Sequence, residues 1–244
     1  LNLFIIEGDT FMKNLSFLFF FLLIFSCGKV RPEGQIELQK KDVSAFVNID
    51  LKGKFRTFYV KSKSNFIEVE TYPNIIENLE IKVKNQTLFI SEKRKTKGVD
   101  FYNITIYSQY SPQKISIADS VEFNVSSEIN TDNFRLSLKN NGKFIGAIRS
   151  RRAEVEMQQT SLANFRGFTK NAVIKLKDTA NILAPYWKLE NLQMEMKNGT
   201  FAEFSVEDSL KGNVENTAKL LYHGDPVRAF KIGKETTVEN QPLE

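Results

Sequence analysis

Three kinds of residue in this 244-residue chain are suited to catalysis or recognition: a lone histidine, dispersed carboxylates and one adjacent Tyr-Trp pair. His223, in "LYHGDP", is the only histidine, so a multi-histidine metal site is excluded. The Gly-Asp-Pro that follows it is turn chemistry, which makes His223 a surface or capping residue. Glycoside hydrolysis needs two carboxyls facing one cleft, and calcium needs a cluster of them. Asp119, Glu122 and Glu128 lie close in sequence without such spacing. Glu154 and Glu156 align with Arg135 and Lys175 as a solvated charge ladder. No phosphate loop, zinc signature or nucleophile elbow occurs, so the sequence predicts no catalytic residue, no metal site and no cofactor. Tyr186 and Trp187, in "LAPYWKLE", are the binding candidates, since exposed aromatics on a rigid scaffold stack on sugars or dock proteins. Strand alternation buries one of any adjacent pair, and Pro185 bends the chain beside them.

The only cysteine, Cys27, stands at the end of an apolar run. From Met12 the chain reads Lys13-Asn14, then "LSFLFFFLLIFS", then Cys27-Gly28. A positive start, a short apolar stretch and a small residue before the break describe a secretory signal, too short to span a membrane. Ile24-Phe25-Ser26-Cys27 resembles the bacterial lipobox, and that resemblance implies cleavage before Cys27 and acylation (diacylglycerol on sulfur, a palmitate-type chain on nitrogen). Two or three chains anchor stably where one does not. Residues 1–11 carry Glu7 and Asp9 ahead of the leader, and Met12 reads as the true start. The expected organisation is an over-extended start at 1–11, a lipoprotein signal peptide at 12–26, a lipidated polar tether at 27–42, one domain at 43–237 and a tail at 238–244.

Charge narrows the partners. The full chain carries a formal net charge of +5, and removing residues 1–26 takes away Lys13, Glu7 and Asp9, leaving about +6. Both signs are scattered, and the densest basic run is "EKRKTK", Glu92 to Lys97. Scattered charge on an exported protein points away from nucleic acid. With Cys27 lipidated, no thiol remains for a disulfide. The expected location is the outer membrane, with the membrane as one partner through Cys27. No acidic run follows Cys27, which leans toward the periplasmic side and leaves the side open.

The elements that would position these residues are strands. "AFVNIDL", "KFRTFYV", "NFIEVETY", "LEIKV", "QTLFIS" and "FYNITIYS" alternate apolar with polar residues and are separated by Gly-Lys, Lys-Ser-Asn and Lys-Asn breaks. One short helix is expected around Asn74 to Leu79. From Phe134 the chain repeats: "FRLSLKNNG" at 134, "AEVEMQQTS" at 153, "AVIKLKDTA" at 172, "LQMEMKNGT" at 192 and "KGNVENTAK" at 211, with offsets of 19, 19, 20 and 19. Stacked, these give inward columns Leu136-Val155-Ile174-Met194-Gly212 and Leu138-Met157-Leu176-Met196-Val214. Between them lies an outward column, Ser137-Glu156-Lys175-Glu195-Asn213. Small residues recur at the turn: Gly142, Ser161, Ala180, Thr200 and Ala218. A period this short, with rungs about 4.8 Å apart, predicts an all-β, elongated, right-handed parallel β-helix (solenoid) with an N-terminal β region.

The chain resembles the auto-transporter adhesin, head GIN domain family. The likeness rests on the "F-x-x-I-x-L-x-G-x-F" entry from Phe46 to Phe55 and on the "N-L-x-I-x-V-x-x-x-x-L-x-I" pair from Asn78 to Ile90. It rests also on the closing Tyr222-His223-Gly224-Asp225-Pro226. Family repeats carry "SGSG"-like corners, whereas these corners read "QTS", "DTA" and "NGT". The resemblance implies a solenoid exported to the envelope and a non-catalytic adhesin that offers a rigid face to a glycan or an envelope or matrix protein. Two rivals stand beside it: a periplasmic structural or regulatory lipoprotein, and a carbohydrate-active β-helix enzyme.

Overall fold

The structure is a computed structural model that describes residues 28–242. Residues 1–27 and the last two lie outside it, and with them the expected start, the signal peptide and Cys27. The period-2 alternation folds into seventeen strands of one continuous sheet, coiled as a β-solenoid of about seven turns with roughly 19-residue spacing.

The first face stacks in parallel β2 (Asn48–Gly53), β8 (Lys114–Asp119), and the C-terminal halves of β10 (Ile129–Leu138), β11 (Lys143–Met157), β12 (Leu162–Leu176), β13 (Asn181–Met196) and β14 (Phe201–Val214). β16 (Val227–Ile232) ends that face. The second face stacks β3 (Arg56–Lys61), β9 (Glu122–Val125), the N-terminal halves of β11 to β14, β15 (Lys219–His223) and β17 (Thr237–Asn240). The strands β11 to β13 are too long for one flat face. Pairing skips Arg151, Lys170 and Glu190, where each strand bends onto a middle face.

Both predicted aliphatic columns point inward. Leu136, Val155, Ile174 and Met194 stand in register, as do Leu138, Met157, Leu176, Met196 and Val214, and all are buried. Each such side chain contributes about 1.5–3 kcal/mol relative to an exposed one. Leu192 pairs with Leu210 and Met194 with Gly212, so the last rung begins at Leu210, one residue before the expected 211, and its offset is 18. Gly212 adopts φ +144°, and a Cβ there would lie 1.9 Å from the Met194 carbonyl oxygen. The column ends in glycine because the two backbones close on that side.

The corners explain the missing glycines. Asp119, Asn140, Gln159, Asp178, Asn198, Asn216 and Glu235 all hold positive φ between 50° and 62°. Asn and Asp tolerate this left-handed conformation better than most side chains. Here they also bond along the stack: Asn140 donates from Nδ2 to Asp119 Oδ1 at 2.8 Å, and its N–H donates to Gln159 Oε1 at 2.8 Å. The Gln159 N–H donates to Asp178 Oδ2 at 3.3 Å. Inside each corner the small residues Ser161, Ala180, Thr200 and Ala218, which recur at the turn, are buried.

The N-terminal β region is continuous with the solenoid. β6 (Thr87–Glu92) extends the first face beyond β2, and β7 (Asn103–Ser108) extends the second beyond β3. Antiparallel β5 (Leu79–Lys84), β4 (Phe66–Thr71) and β1 (Glu37–Asp42) then close that end. The expected helix is α1 (Pro73–Glu77), with Pro73 in its first turn and Ile75 and Ile76 buried. Two boundaries need correction. Val30 is buried and β1 pairs with β4, so the described part of the 27–42 segment is folded onto the domain and is not a free tether. At the other end β17 pairs with β15, so the solenoid runs past residue 237 into the expected tail.

Candidate functional site

The site is built around Tyr186 and Trp187. Between Asn164/Leu183 and Arg166/Tyr186 the β12–β13 register slips by one residue, and between β13 and β14 it slips further, from Ala184/Phe204 to Lys188/Ser205. The extra residues form a bulge at Pro185, whose carbonyl accepts a hydrogen bond from Ser205 Oγ at 2.5 Å. A bulge re-aims the side chains that follow it. Here it turns Tyr186 outward, at 65% exposure, and Trp187 inward, at 0%.

Trp187 is therefore a core residue and, contrary to expectation, offers no surface for binding. Its ring stacks on Phe165, with centroids 4.4 Å apart, within an interior file that continues through Phe144 and Phe123. Phe204 meets it edge-on at 6.2 Å. Its indole N–H donates to Thr169 Oγ1 at 3.1 Å, and that hydroxyl lies 2.9 Å from Ser150 Oγ, so the buried polar atoms satisfy one another. The sequence reading missed this aromatic file.

Outside, the bulge places Tyr186 among cations. Arg166 is its register partner on β12, and Arg149, Phe168 and Lys188 form the adjacent column across three rungs. Arg149 Nε lies 3.4 Å from Glu128 Oε2. Among the described residues, neither Arg166 nor Lys188 is within 4.0 Å of a carboxylate. Arg151, Arg152 and Lys170 continue the basic surface at the bend, with Lys170 3.6 Å from Glu190. An exposed aromatic ring between unpaired cations on a rigid sheet can stack on an apolar ring face while holding anionic substituents.

The remaining candidates go to separate structural partners. Asp119 joins the corner ladder, Glu122 pairs with Arg56 at 3.0 Å and Glu128 with Arg149. Arg135 and Glu154 make the predicted cross-rung ion pair at 3.0 Å. Glu156 and Lys175 are register partners that line a shallow depression with Glu195 and Ser137. His223 is buried, a capping residue and not a surface one: Nε2 lies 3.0 Å from Glu203 Oε1 and Nδ1 2.8 Å from the Gln241 carbonyl oxygen. Among the described residues, no three His, Cys, Asp or Glu side chains converge as a metal site.

A parallel β-solenoid of short repeats is the class of fold that carries this outward aromatic-basic patch. The sequence profile described as "putative auto-transporter adhesin, head GIN domain" matches residues 45–226, and the chain belongs to that family. The match falls within the expected 43–237. Membership places the protein among those of the envelope or cell surface. Among the described residues, no helix is long and apolar enough to cross a membrane.

Three solved structures share the fold. A putative adhesin from Bacteroides fragilis is 18% identical, with a TM-score of 0.73 over 87% of this chain and 100% of that one. A putative adhesin from Parabacteroides merdae is 16% identical, with a TM-score of 0.70 over 87% and 99%. A putative lipid binding protein from Parabacteroides distasonis is 17% identical, with a TM-score of 0.65 over 87% and 100%. No curated protein matches the chain.

Proposed function

We propose that the protein is a non-catalytic envelope lipoprotein, anchored through Cys27, whose β11–β13 face binds a glycan bearing carboxylate or sulfate groups. The observation that carries this reading is Tyr186, turned out by the Pro185 bulge and flanked by the unpaired Arg166 and Lys188. The ring supplies a stacking surface, and the cations supply charge-assisted hydrogen bonds to an acidic sugar. Because the sheet is rigid, little ordering entropy opposes binding.

Calorimetric titration with acidic and neutral polysaccharides tests the reading. Acidic chains should bind, neutral ones should bind far more weakly, and Tyr186→Ala or Arg166→Ala should each weaken binding by about tenfold. Equal binding of both classes, or no effect of either substitution, overturns it. Protease shaving of intact cells, with Cys27→Ala as control, identifies the membrane side. Loss of the domain puts it outside; protection until the outer membrane is opened would sink the adhesin role.

A further inference from the structure

The segment that follows Cys27 doubles back onto the domain. The Val30 N–H donates to the Lys95 carbonyl oxygen at 3.0 Å, and the Lys97 N–H donates to that of Val30 at 2.8 Å, as a short parallel bridge. Two asparagines, on helix α1 and just after it, fix both strands of this bridge. Asn74 donates from Nδ2 to the Arg31 carbonyl oxygen at 2.6 Å and accepts the Glu33 N–H at 3.1 Å. Asn78, buried, donates to the Arg94 carbonyl oxygen at 2.7 Å and accepts the Arg94 N–H at 3.1 Å.

This scaffold gathers six exposed cations from two distant parts of the sequence: Lys29, Arg31, Lys93, Arg94, Lys95 and Lys97. Four of them, Lys29, Arg31, Lys93 and Arg94, line one open depression of about 610 Å³. Only two carboxylates share that depression, Glu33 and Glu77. Among the described residues, no ion pair within 4.0 Å neutralises any of the six. Lys93 Nζ instead bonds the Glu77 carbonyl oxygen at 2.8 Å. The carboxylate of Glu92, next in the chain, is held by Tyr102 at 2.9 Å and Thr96 at 3.3 Å.

We propose that this end of the solenoid docks on the phosphate groups of an anionic phospholipid membrane. The charge excess fits such a surface, and chain length fixes the distance. From Cys27 to Val30 the backbone spans at most about 10 Å. An acyl anchor on Cys27 therefore brings the basic surface within about one Debye length of the headgroups. The solenoid then stands on the bilayer by its N-terminal end, leaving the Tyr186 face along its side open to solvent. Placing this surface at a membrane rests on the lipoprotein reading; its affinity for anionic headgroups does not.

The test uses residues 28–244, which lack both the apolar leader and the acyl attachment site, in co-flotation with phosphatidylcholine vesicles with and without phosphatidylglycerol. Binding should require phosphatidylglycerol and fade as salt rises. Combined Lys93→Gln, Arg94→Gln and Lys95→Gln should weaken it roughly a hundredfold, about fivefold per charge. Tyr186→Ala should leave it unchanged, and an unaltered melting curve excludes misfolding of the triple variant. Equal flotation with neutral vesicles, no flotation, or full binding by the folded triple variant overturns the proposal. Capture by soluble polyglutamate without flotation overturns it too, by assigning the patch to an acidic protein. Metabolic labelling of the native protein with a palmitate analogue tests the other reading separately. No label with vesicle binding retained removes the anchor alone, whereas label without vesicle binding removes the docking surface alone.

Discussion

The indole nitrogen of Trp187 donates to Thr169 Oγ1 at 3.1 Å, 18 residues back in sequence and one turn away along the solenoid. That bond and the stacking on Phe165 hold the bulged rung of β13 against β12. Trp187→Ala removes the largest fully buried side chain and should cost about 3–5 kcal/mol. Trp187→Phe keeps most of the packing and leaves Thr169 bonded to Ser150, so it should cost about 1–2 kcal/mol. Thermal denaturation checks both, at about 2–4 °C per kcal/mol for a domain of this size. Equal losses for the two variants would show that packing at Trp187 is not what holds the rung.

How much of this was legible depended on register. The aliphatic columns follow a near-constant period, so they could be read from spacing alone. The aromatic file could not: Phe144, Phe165, Trp187 and Phe204 are 21, 22 and 17 residues apart. Each ring has a small residue as its register partner on an adjacent rung: Phe144 opposite Ala163, Phe165 opposite Gly146, Trp187 opposite Gly167 and Phe204 opposite Ala184. The Pro185 bulge lengthens one rung and the next is shorter, so a constant period of 19 sets the last repeat one residue late. The Tyr186 patch depends on that bulge and leaves no periodic trace. "EKRKTK" was visible as a run, but its meeting with Lys29 and Arg31 requires the Val30 bridge, a contact between distant parts of the chain.

Two glycines with positive φ separate steric need from backbone preference. At Gly212 (φ +144°) an added Cβ would collide with the Met194 carbonyl oxygen at 1.9 Å. At Gly199 (φ +72°) the nearest atom would be 3.7 Å away, Thr217 Oγ1. Gly199→Ala should therefore cost only the left-handed penalty, about 1–2 kcal/mol. Gly212→Ala must also push β13 and β14 apart and should cost well over about 3 kcal/mol. Chemical denaturation of the two variants distinguishes them, and similar midpoints would refute the close approach.

His223 ties the last turn to the stack. Its ring lies between the Glu203 carboxylate and the Gln241 carbonyl oxygen, so both nitrogens face acceptors. A doubly protonated ring donates to both, and a neutral ring donates to only one. His223→Ala removes one of the two bonds that hold the Gln241 backbone, the other being its N–H to the Tyr222 carbonyl oxygen at 3.0 Å. Among the described residues β17 is paired only with β15, and it should then fray more readily. Hydrogen exchange should quicken across Thr237–Asn240 while β11 to β13 keep their protection. Unchanged exchange at β17 would remove His223 from that role.

Glu92 gives the fold a pH dependence of definite sign. Burial, the largest influence, holds its carboxyl above the ordinary glutamate range, against the opposing pull of hydrogen bonds from Tyr102 and Thr96. The folded protein therefore binds this proton more tightly than the unfolded chain does. Stability tied to the protonated form is fully present below the unfolded value, near 4.5, and is lost as pH rises through the raised folded value. Asp50 is raised by burial in the same way and adds a slope of the same sign. Glu92→Gln keeps an acceptor for Tyr102 Oη and removes the charge that burial disfavours. It should be neutral to stabilising at pH 7, and it should flatten the fall in stability across mildly acidic pH. Urea midpoints measured from pH 4 to pH 7 for both proteins check this. A steeper fall in the variant, or a loss of stability at pH 7, would mean that the charged carboxylate is needed to hold Tyr102 and Thr96.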